Sequence, residues 1–456
     1  MDTNLWKNYS GENRKPLEDF CNGYKQYISD CKTERECVAQ AIKIAEQNGY
    51  TNIEDAIKQN KTLNAGDKVY AVNMDKSLVL FCIGTQPLEN GMNIVGSHVD
   101  SPRLDLKAKP IYENNGLCLL DTHYYGGIKK YQWTTIPLAI HGTVVKKDGS
   151  KKHFVVGENE NDPVVGISDL LPHLERNKKD PTDIKGEDLN VLVGSIPFAQ
   201  DEKEKDLVKK NIVELLKSQG VDEHDLFSAE FEVVPAGKAR DFGLDKSMII
   251  GYGQDDRVCA YTSLMALLET SAPQKTACCI MVDKEEIGSV GATGMCSKFF
   301  ENTVAEVMNL AGDYNELKLR RCLSNSKMLS SDVTAAFDPN YPTPSNAETD
   351  AHFAKGISFN KYTGSRGKYD ANDANPEFIA SLRNVLDQNN VCFQATEMGK
   401  VDAGGGGTIA YIMANYGMNV IDAGVPLLSM HAPWEVSCKT DVYESYRAYK
   451  AFYTMQ

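Results

Sequence analysis

At 456 residues the chain exceeds what one hydrophobic core usually organises, so two domains are expected. Its 49 basic residues stand against 63 acidic ones, a net charge of −14 with no basic patch or tail, which argues against nucleic acid or an anionic membrane surface as partner. The 12 cysteines show no C-x-x-C spacing, residues 1–15 carry no apolar leader, and no stretch approaches the roughly 18 apolar residues of a membrane span, so a reducing, cytoplasmic location is expected.

Along the chain, residues 17–48 read as two helices; Thr33-Glu34-Arg35-Glu36 has capping-box spacing for the second, and Asn48-Gly49 is a stop signal. Residues 68–84 read as a hairpin about Asn73-Met74-Asp75-Lys76, and Met92-Asn93-Ile94-Val95 as a buried strand ending at His98. From about Leu106 the texture changes. Short β-like runs alternate with turn signals at Asn114-Asn115-Gly116, Gly126-Gly127 and Lys146-Lys147-Asp148-Gly149-Ser150, with a charged helical stretch over 201–219 and a loop at Asp180-Pro181. The first texture returns at Met248-Ile249-Ile250. Asp255-Asp256 then precedes a helix over 257–269 whose Val258, Tyr261, Leu264, Met265 and Leu268 share one face. The expected fold is α/β: a central mixed sheet flanked by helices over 1–105 and 244–456, interrupted by a β-rich domain over 106–243. Cys278 and Cys279, inside an apolar strand, read as core thiols.

Metal-seeking side chains stand at the ends of the apolar runs: His98, Asp255, Glu286, Asp332 and His431. In an open α/β sheet, ligands gather at the carboxyl ends of strands, so these distant residues can converge. An Asp two residues beyond His98, Asp100, is well placed to take the second ring N–H of a metal-binding imidazole. Adjacent Glu285 and Glu286 divide their labour, since neighbouring side chains of an extended segment point to opposite sides: one faces substrate and the other an ion.

The segments Gly96-Ser97-His98-Val99-Asp100-Ser101-Pro102-Arg103, Gln254-Asp255-Asp256-Arg257, Asp283-Lys284-Glu285-Glu286-Ile287-Gly288-Ser289, Ser331-Asp332-Val333 and Met430-His431-Ala432 resemble, in order and over nearly the whole chain, those of the aspartyl aminopeptidase and aminopeptidase I family of two-metal aminopeptidases. The resemblance implies that peptides with a free N-terminus are the substrates. One ion is then held by His98 and Asp332, the other by Glu286 and His431, with Asp255 bridging, Glu285 as general base and Asp100 supporting His98. Zinc suits the donor set, and manganese or cobalt accept it as well. The resemblance further implies that the β-rich domain mediates subunit contacts in a tetrahedral dodecamer built from dimers. His173, in Asp169-Leu170-Leu171-Pro172-His173-Leu174-Glu175-Arg176-Asn177, would enter a neighbouring subunit's site to stabilise the oxyanion. In the wider group of two-metal aminopeptidases the bond after the bridging Asp is often cis, which points to Asp255-Asp256.

Specificity is where the chain departs from the acidic-preferring relatives. They carry a His three residues beyond the metal-binding Asp, where this chain has Ala335. Lys361 and Tyr369 are the nearest counterparts of two further substrate contacts, at a separation that differs by one residue. Acidic and neutral N-terminal residues both stand as substrates. The run Gly404-Gly405-Gly406-Gly407 before an apolar helical segment reads as a substrate-lining loop through Gly405, and without a dinucleotide or Walker spacing it is no nucleotide site. A two-metal deacylase, or a non-catalytic assembly or cargo protein, are the competing readings; activity on free-amine against N-acylated peptides separates the first from an aminopeptidase, and metal content the second.

Overall fold

Strands that are apolar on both faces need cover on both, and the four strands Thr276–Val282, Met92–His98, Lys327–Ser330 and Asn419–Gly424 lie side by side, all parallel, in the middle of a nine-stranded sheet. Thr51–Asn52, Lys68–Asn73 and Ser77–Cys82 extend it beyond Thr276–Val282, and Ile357–Asn360 and Phe393–Thr396 beyond Asn419–Gly424. This is a computed structural model, and it describes residues 4–174, 180, 182–198 and 205–456. Pro181, the first part of the charged helical stretch (201–204) and Glu175, Arg176 and Asn177 lie outside the described residues.

Successive residues of the central strands enter two separate cores. Leu78, Leu80, Cys82, Cys279 and Met281 join one, while Val79, Phe81, Cys278, Ile280 and Val282 join the other. That is the period-2 alternation of a strand buried on both sides, and each fully buried large aliphatic side chain contributes about 1.5–3 kcal/mol. The hairpin turns through Met74 and Asp75, both left-handed, with the Lys76 N–H donating to the Asn73 carbonyl at 3.0 Å.

The first long helix, Arg14–Asp30, buries Leu17, Cys21, Tyr24 and Ile28, the i, i+4, i+7, i+11 stripe of an amphipathic helix. Glu34–Gln47 follows behind a complete capping box: the Glu36 N–H donates to Thr33 Oγ1 at 3.2 Å and the Thr33 N–H to Glu36 Oε2 at 3.1 Å. The helix expected over 257–269 runs over Gln254–Leu268, with Asp255 and Asp256 in non-helical conformation. Its expected single apolar face is corrected. Every residue except Met265 is buried, because Thr262 and Ser263 return their hydroxyls to the carbonyls of Val258 and Ala260 at 2.8 and 3.0 Å and so need no water. The C-terminal helix Lys439–Tyr453 packs beside it, Tyr453 donating to the Ser263 carbonyl. A five-stranded sheet, in the order Arg240–Phe242, Met248–Gly251, Glu435–Cys438, Pro426–Leu428 and Thr334–Ala335, pairs Gly251 with Glu435.

All of these elements belong to one compact unit, Met1–Asp100 with Ala239–Met430 and Glu435–Gln456. A second unit comprises Ser101–Lys238 and His431–Trp434. It is built on a six-stranded antiparallel sheet in the order Lys151–Val156, Leu138–Val145, Ala229–Pro235, Arg103–Asn114, Leu117–Tyr125 and Val191–Gly194, packed by the helix Leu207–Ser218. Asn115 and Gly116, both left-handed, turn its longest hairpin. Arg103 is buried against Glu232 at 3.2 Å and stacks over the Tyr125 ring. No helix among the described residues is long and apolar enough to cross a membrane.

Candidate metal centre

Three of the parallel strands end on the same edge of the sheet, and each delivers a metal-seeking side chain there. His98 is the last residue of its strand, Asp332 follows Lys327–Ser330 by two residues, and Glu285 and Glu286 follow Thr276–Val282 on a single 3-10 turn, Glu285–Ile287. Lys284 and Gly288, with φ of 70° and 93°, bracket that turn; at Gly288 a side chain would find open space, so the left-handed backbone is what requires glycine. Asp255 enters from the adjoining helix start, and the Asp255-Asp256 bond is cis, as expected.

The distances define a cluster around one imidazole nitrogen. His98 Nε2 lies 3.2 Å from Asp255 Oδ1, 3.8 Å from Glu285 Oε2 and 4.0 Å from Asp332 Oδ1. Its Nδ1 is 2.9 Å from the Asp100 carbonyl and 3.2 Å from the Asp100 carboxylate, so the ring proton resides on Nδ1 and Nε2 presents a lone pair when the ring is neutral. Asp100 does more than orient the ring. Its two carboxylate oxygens accept the backbone N–H groups of Glu285 and Glu286, each at 3.2 Å, and so fix the turn that carries both glutamates.

Two groups of donor atoms, each within 4.8 Å of one another, stand out among the described residues: His98, Asp255 and Glu286, and His98, Asp256 and Asp332. Burial pushes the Asp332 carboxyl well above the usual carboxylate range, and the charges of Asp256 and Glu285 push it further. Asp256 is raised likewise by burial and by Asp255. Burial would depress His98, but its hydrogen bonds to Asp100 and Asp255 outweigh that and hold it well above its ordinary value. So many carboxylates crowded against a single imidazole form a site built for cationic charge, and hard oxygen donors with one imidazole suit a divalent first-row metal.

The other expected residues stand on further segments of the chain. His431 belongs to the unit of Ser101–Lys238, where its Nδ1 is 3.0 Å from the Gly127 carbonyl; this leaves Nε2 as the lone-pair nitrogen of the neutral ring. His173 is exposed on the turn Pro172–Leu174. Lys361 is exposed just past the strand Ile357–Asn360, and Tyr369 is exposed with its backbone paired to Ser365. At Gly405 a Cβ would fall 2.0 Å from the Gly364 carbonyl oxygen and at Gly404 1.8 Å from that of Met398. The glycine run therefore lets three backbone segments meet. A cavity of about 50 Å³ lies beside them, lined by Tyr362, Arg366, Lys368, Glu397, Lys400 and Gly405 among others. Ala335 ends the two-residue strand after Asp332.

Three residues outside the expected ligand set hold the arrangement: Asp256, expected only to orient its neighbours, Arg257 and Glu435. Asp256 Oδ2 accepts the His98 backbone N–H at 3.3 Å, and the buried Arg257 donates from Nε to the Val99 carbonyl at 3.0 Å. Glu435, only 1 % exposed, accepts the Asp255 N–H at 3.1 Å. The sequence signal for Glu435 is faint: a lone carboxylate between Trp434 and Val436 at the start of a buried strand.

A family model described as aminopeptidase I zinc metalloprotease (M18) matches residues 27–453. A probable M18 family aminopeptidase 1 of Clostridium acetobutylicum is 59% identical over 453 residues, covering 98% of this chain and 97% of that one. The crystal structure of an M18-family aminopeptidase from Thermotoga maritima is 41% identical with a TM-score of 0.94, covering 100% of this chain and 99% of that one. The S. cerevisiae mApe1 dodecamer is 22% identical with a TM-score of 0.77, covering 95% of this chain and 96% of that one, a likeness of fold.

Proposed function

The chain belongs to the M18 family of aminopeptidase I zinc metalloproteases and is a peptide hydrolase, and from that premise we propose that it releases N-terminal residues at a site holding two divalent ions per subunit. His98 and Asp332 would hold one ion and Glu286 and His431 the other, with Asp255 shared between them. When bound, the ions supply Lewis-acid polarisation of the scissile carbonyl and a lowered pKa for water. Glu285 takes the proton from the attacking water and returns it to the departing amine. Asp100 keeps Glu285 and Glu286 in register with His98, so base and ligands share one frame. What carries this reading is the cluster about His98 Nε2, in which Asp255, Glu285 and Asp332 from separate segments come within 4.0 Å.

The β-rich unit is assigned the subunit contacts of a dodecamer built from dimers, with His173 entering a neighbour's site to steady the oxyanion. The support is twofold: the yeast protein of like fold is a dodecamer, and Leu170, Leu171 and Leu174, which flank His173, are exposed. The location assigned is the cytoplasm. Lys361, Tyr369 and Gly405 are assigned to substrate binding. Ala335 places only a methyl where the acidic-preferring relatives carry a His, while Lys361 is a cation assigned to the same substrate, so acidic and neutral N-terminal residues both stand as substrates.

The test is a panel of N-terminal aminoacyl substrates, free and N-acetylated, assayed after chelator treatment and return of zinc, manganese or cobalt. Restored turnover of free-amine substrates, with N-acetylated substrates inert, is expected, and the ratio of leucyl to aspartyl turnover assigns the N-terminal preference. Turnover that survives chelation, or a preference for the acylated set, overturns the assignment.

A further inference from the structure

Asp255 is the residue on which the two-ion reading turns, and its backbone N–H is held from a distant segment. Asp255 and Asp256 depart from helical geometry while the helix proper continues beyond them. A carboxylate in such a position needs an anchor from outside its segment. Glu435, 180 residues away in sequence, supplies it twice over.

The main chain of Glu435 pairs with Gly251 across the five-stranded sheet, and its carbonyl accepts the Gln254 side-chain N–H at 2.7 Å. Its side chain turns to the same loop and takes the Asp255 N–H through Oε2. Gln254 is held at its other end as well: its Oε1 accepts from Ser437 Oγ at 2.6 Å and from the Tyr24 hydroxyl at 3.1 Å. Gln254, Asp255, Glu435 and Ser437 are all 5 % exposed or less, so water does not substitute for these bonds. Glu435 is in neither group of clustered donor atoms among the described residues, so its own carboxylate is not counted among the metal ligands.

We propose that Glu435 is a positioning residue for Asp255: by accepting the Asp255 amide it sets the peptide plane from which the Asp255 carboxylate is aimed at the ions. The inference rests on the reading of Asp255 as a metal ligand. The essential property is the acceptor oxygen. Glutamine keeps that oxygen at the same reach; alanine takes it away from a buried donor.

The experiment compares wild type, Glu435→Ala, Glu435→Gln and Asp255→Asn as full-length proteins. Zinc is titrated into each stripped protein against a chromophoric chelator, and kcat and KM are measured separately. Groups that hold a ligand typically matter by 10- to 100-fold in metal affinity. Glu435→Ala is therefore expected to bind zinc at least about tenfold more weakly and to lose kcat with little change in KM, and Glu435→Gln to stay within about tenfold of wild type in both. A Glu435→Ala protein that is folded by circular dichroism and binds zinc as wild type does overturns the proposal, as does a Gln variant as impaired as the Ala variant. Should the Ala variant fail to fold, the Gln variant decides: an affinity within about tenfold of wild type supports the role and a greater loss overturns it. Asp255→Asn separates the two levels. If it keeps wild-type zinc affinity, the metal-site reading fails; if it loses zinc while Glu435→Ala does not, only the role of Glu435 fails.

Discussion

The carboxylate of Asp100 accepts the backbone N–H of Glu285 at 3.2 Å while the same residue's carbonyl receives the His98 ring at 2.9 Å. One residue thus couples the ends of two neighbouring strands. Asp100→Asn keeps the carbonyl, and with it the His98 tautomer, but its amide oxygen serves one of the two glutamate N–H groups and its NH2 repels the other. The expected result is a roughly tenfold or greater loss of zinc affinity with the fold intact, measured by chelator competition. Wild-type affinity in this variant would show that the turn is held by other means.

Glu285→Gln separates binding from chemistry. The bond to Asp100 comes from the backbone and survives the substitution, so the turn stays in place. Zinc content is expected to match wild type while kcat falls at least about 100-fold, the lower end of what a positioned acid–base group contributes. Undiminished kcat in the Gln variant removes Glu285 from the mechanism.

His173→Ala tests completion of the site by a neighbour. Mass by light scattering and zinc content should equal wild type, with kcat reduced about 100-fold or more, the usual loss for an oxyanion donor. A fully active assembly of His173→Ala subunits would leave His173 as a surface residue only.

Asp441 offers a pH test remote from the chemistry. Burial raises its carboxyl from 3.8 to about 7, even though the backbone N–H groups of Ala354 and Gly356 each donate to it at 2.8 Å. The folded value exceeds the unfolded one. Between about pH 4 and 7 the folded protein therefore holds a proton that the unfolded chain has lost, and stability falls as pH rises through that window. Asp441→Asn has no such proton, so the wild-type advantage over the variant should shrink by up to a few kcal/mol from pH 4.5 to 7.5, at about 1.4 kcal/mol per pKa unit. Parallel urea midpoints for the two proteins across that range would contradict the raised value.

Much of the architecture is legible in the sequence because it rests on local signals. The capping box at Thr33 and Glu36, the left-handed turn at Met74-Asp75 and the apolar runs that stop at His98 and before Glu285 each depend on a few adjacent residues. What stays hidden depends on partners far away in the chain. The polar residues of Gln254–Leu268 look like an exposed face until Thr262 and Ser263 are seen bonding their own helix. Glu435 has no motif spacing to Asp255; only the pairing of Gly251 with Glu435 brings the two together. The glycine run reads as an open loop, yet the backbone of Gly364 and Met398 occupies the space any side chain would need.

His98, Asp332 and the Glu285–Glu286 pair ride on three neighbouring parallel strands whose order in the sheet differs from their order in the sequence. Until the last of those strands docks, no fragment of the chain holds base and ligands together, and such long-range pairings are the slow part of folding. A chain cut short before Lys327–Ser330 therefore carries the two glutamates and His98 without the strand that sets Asp332 beside them.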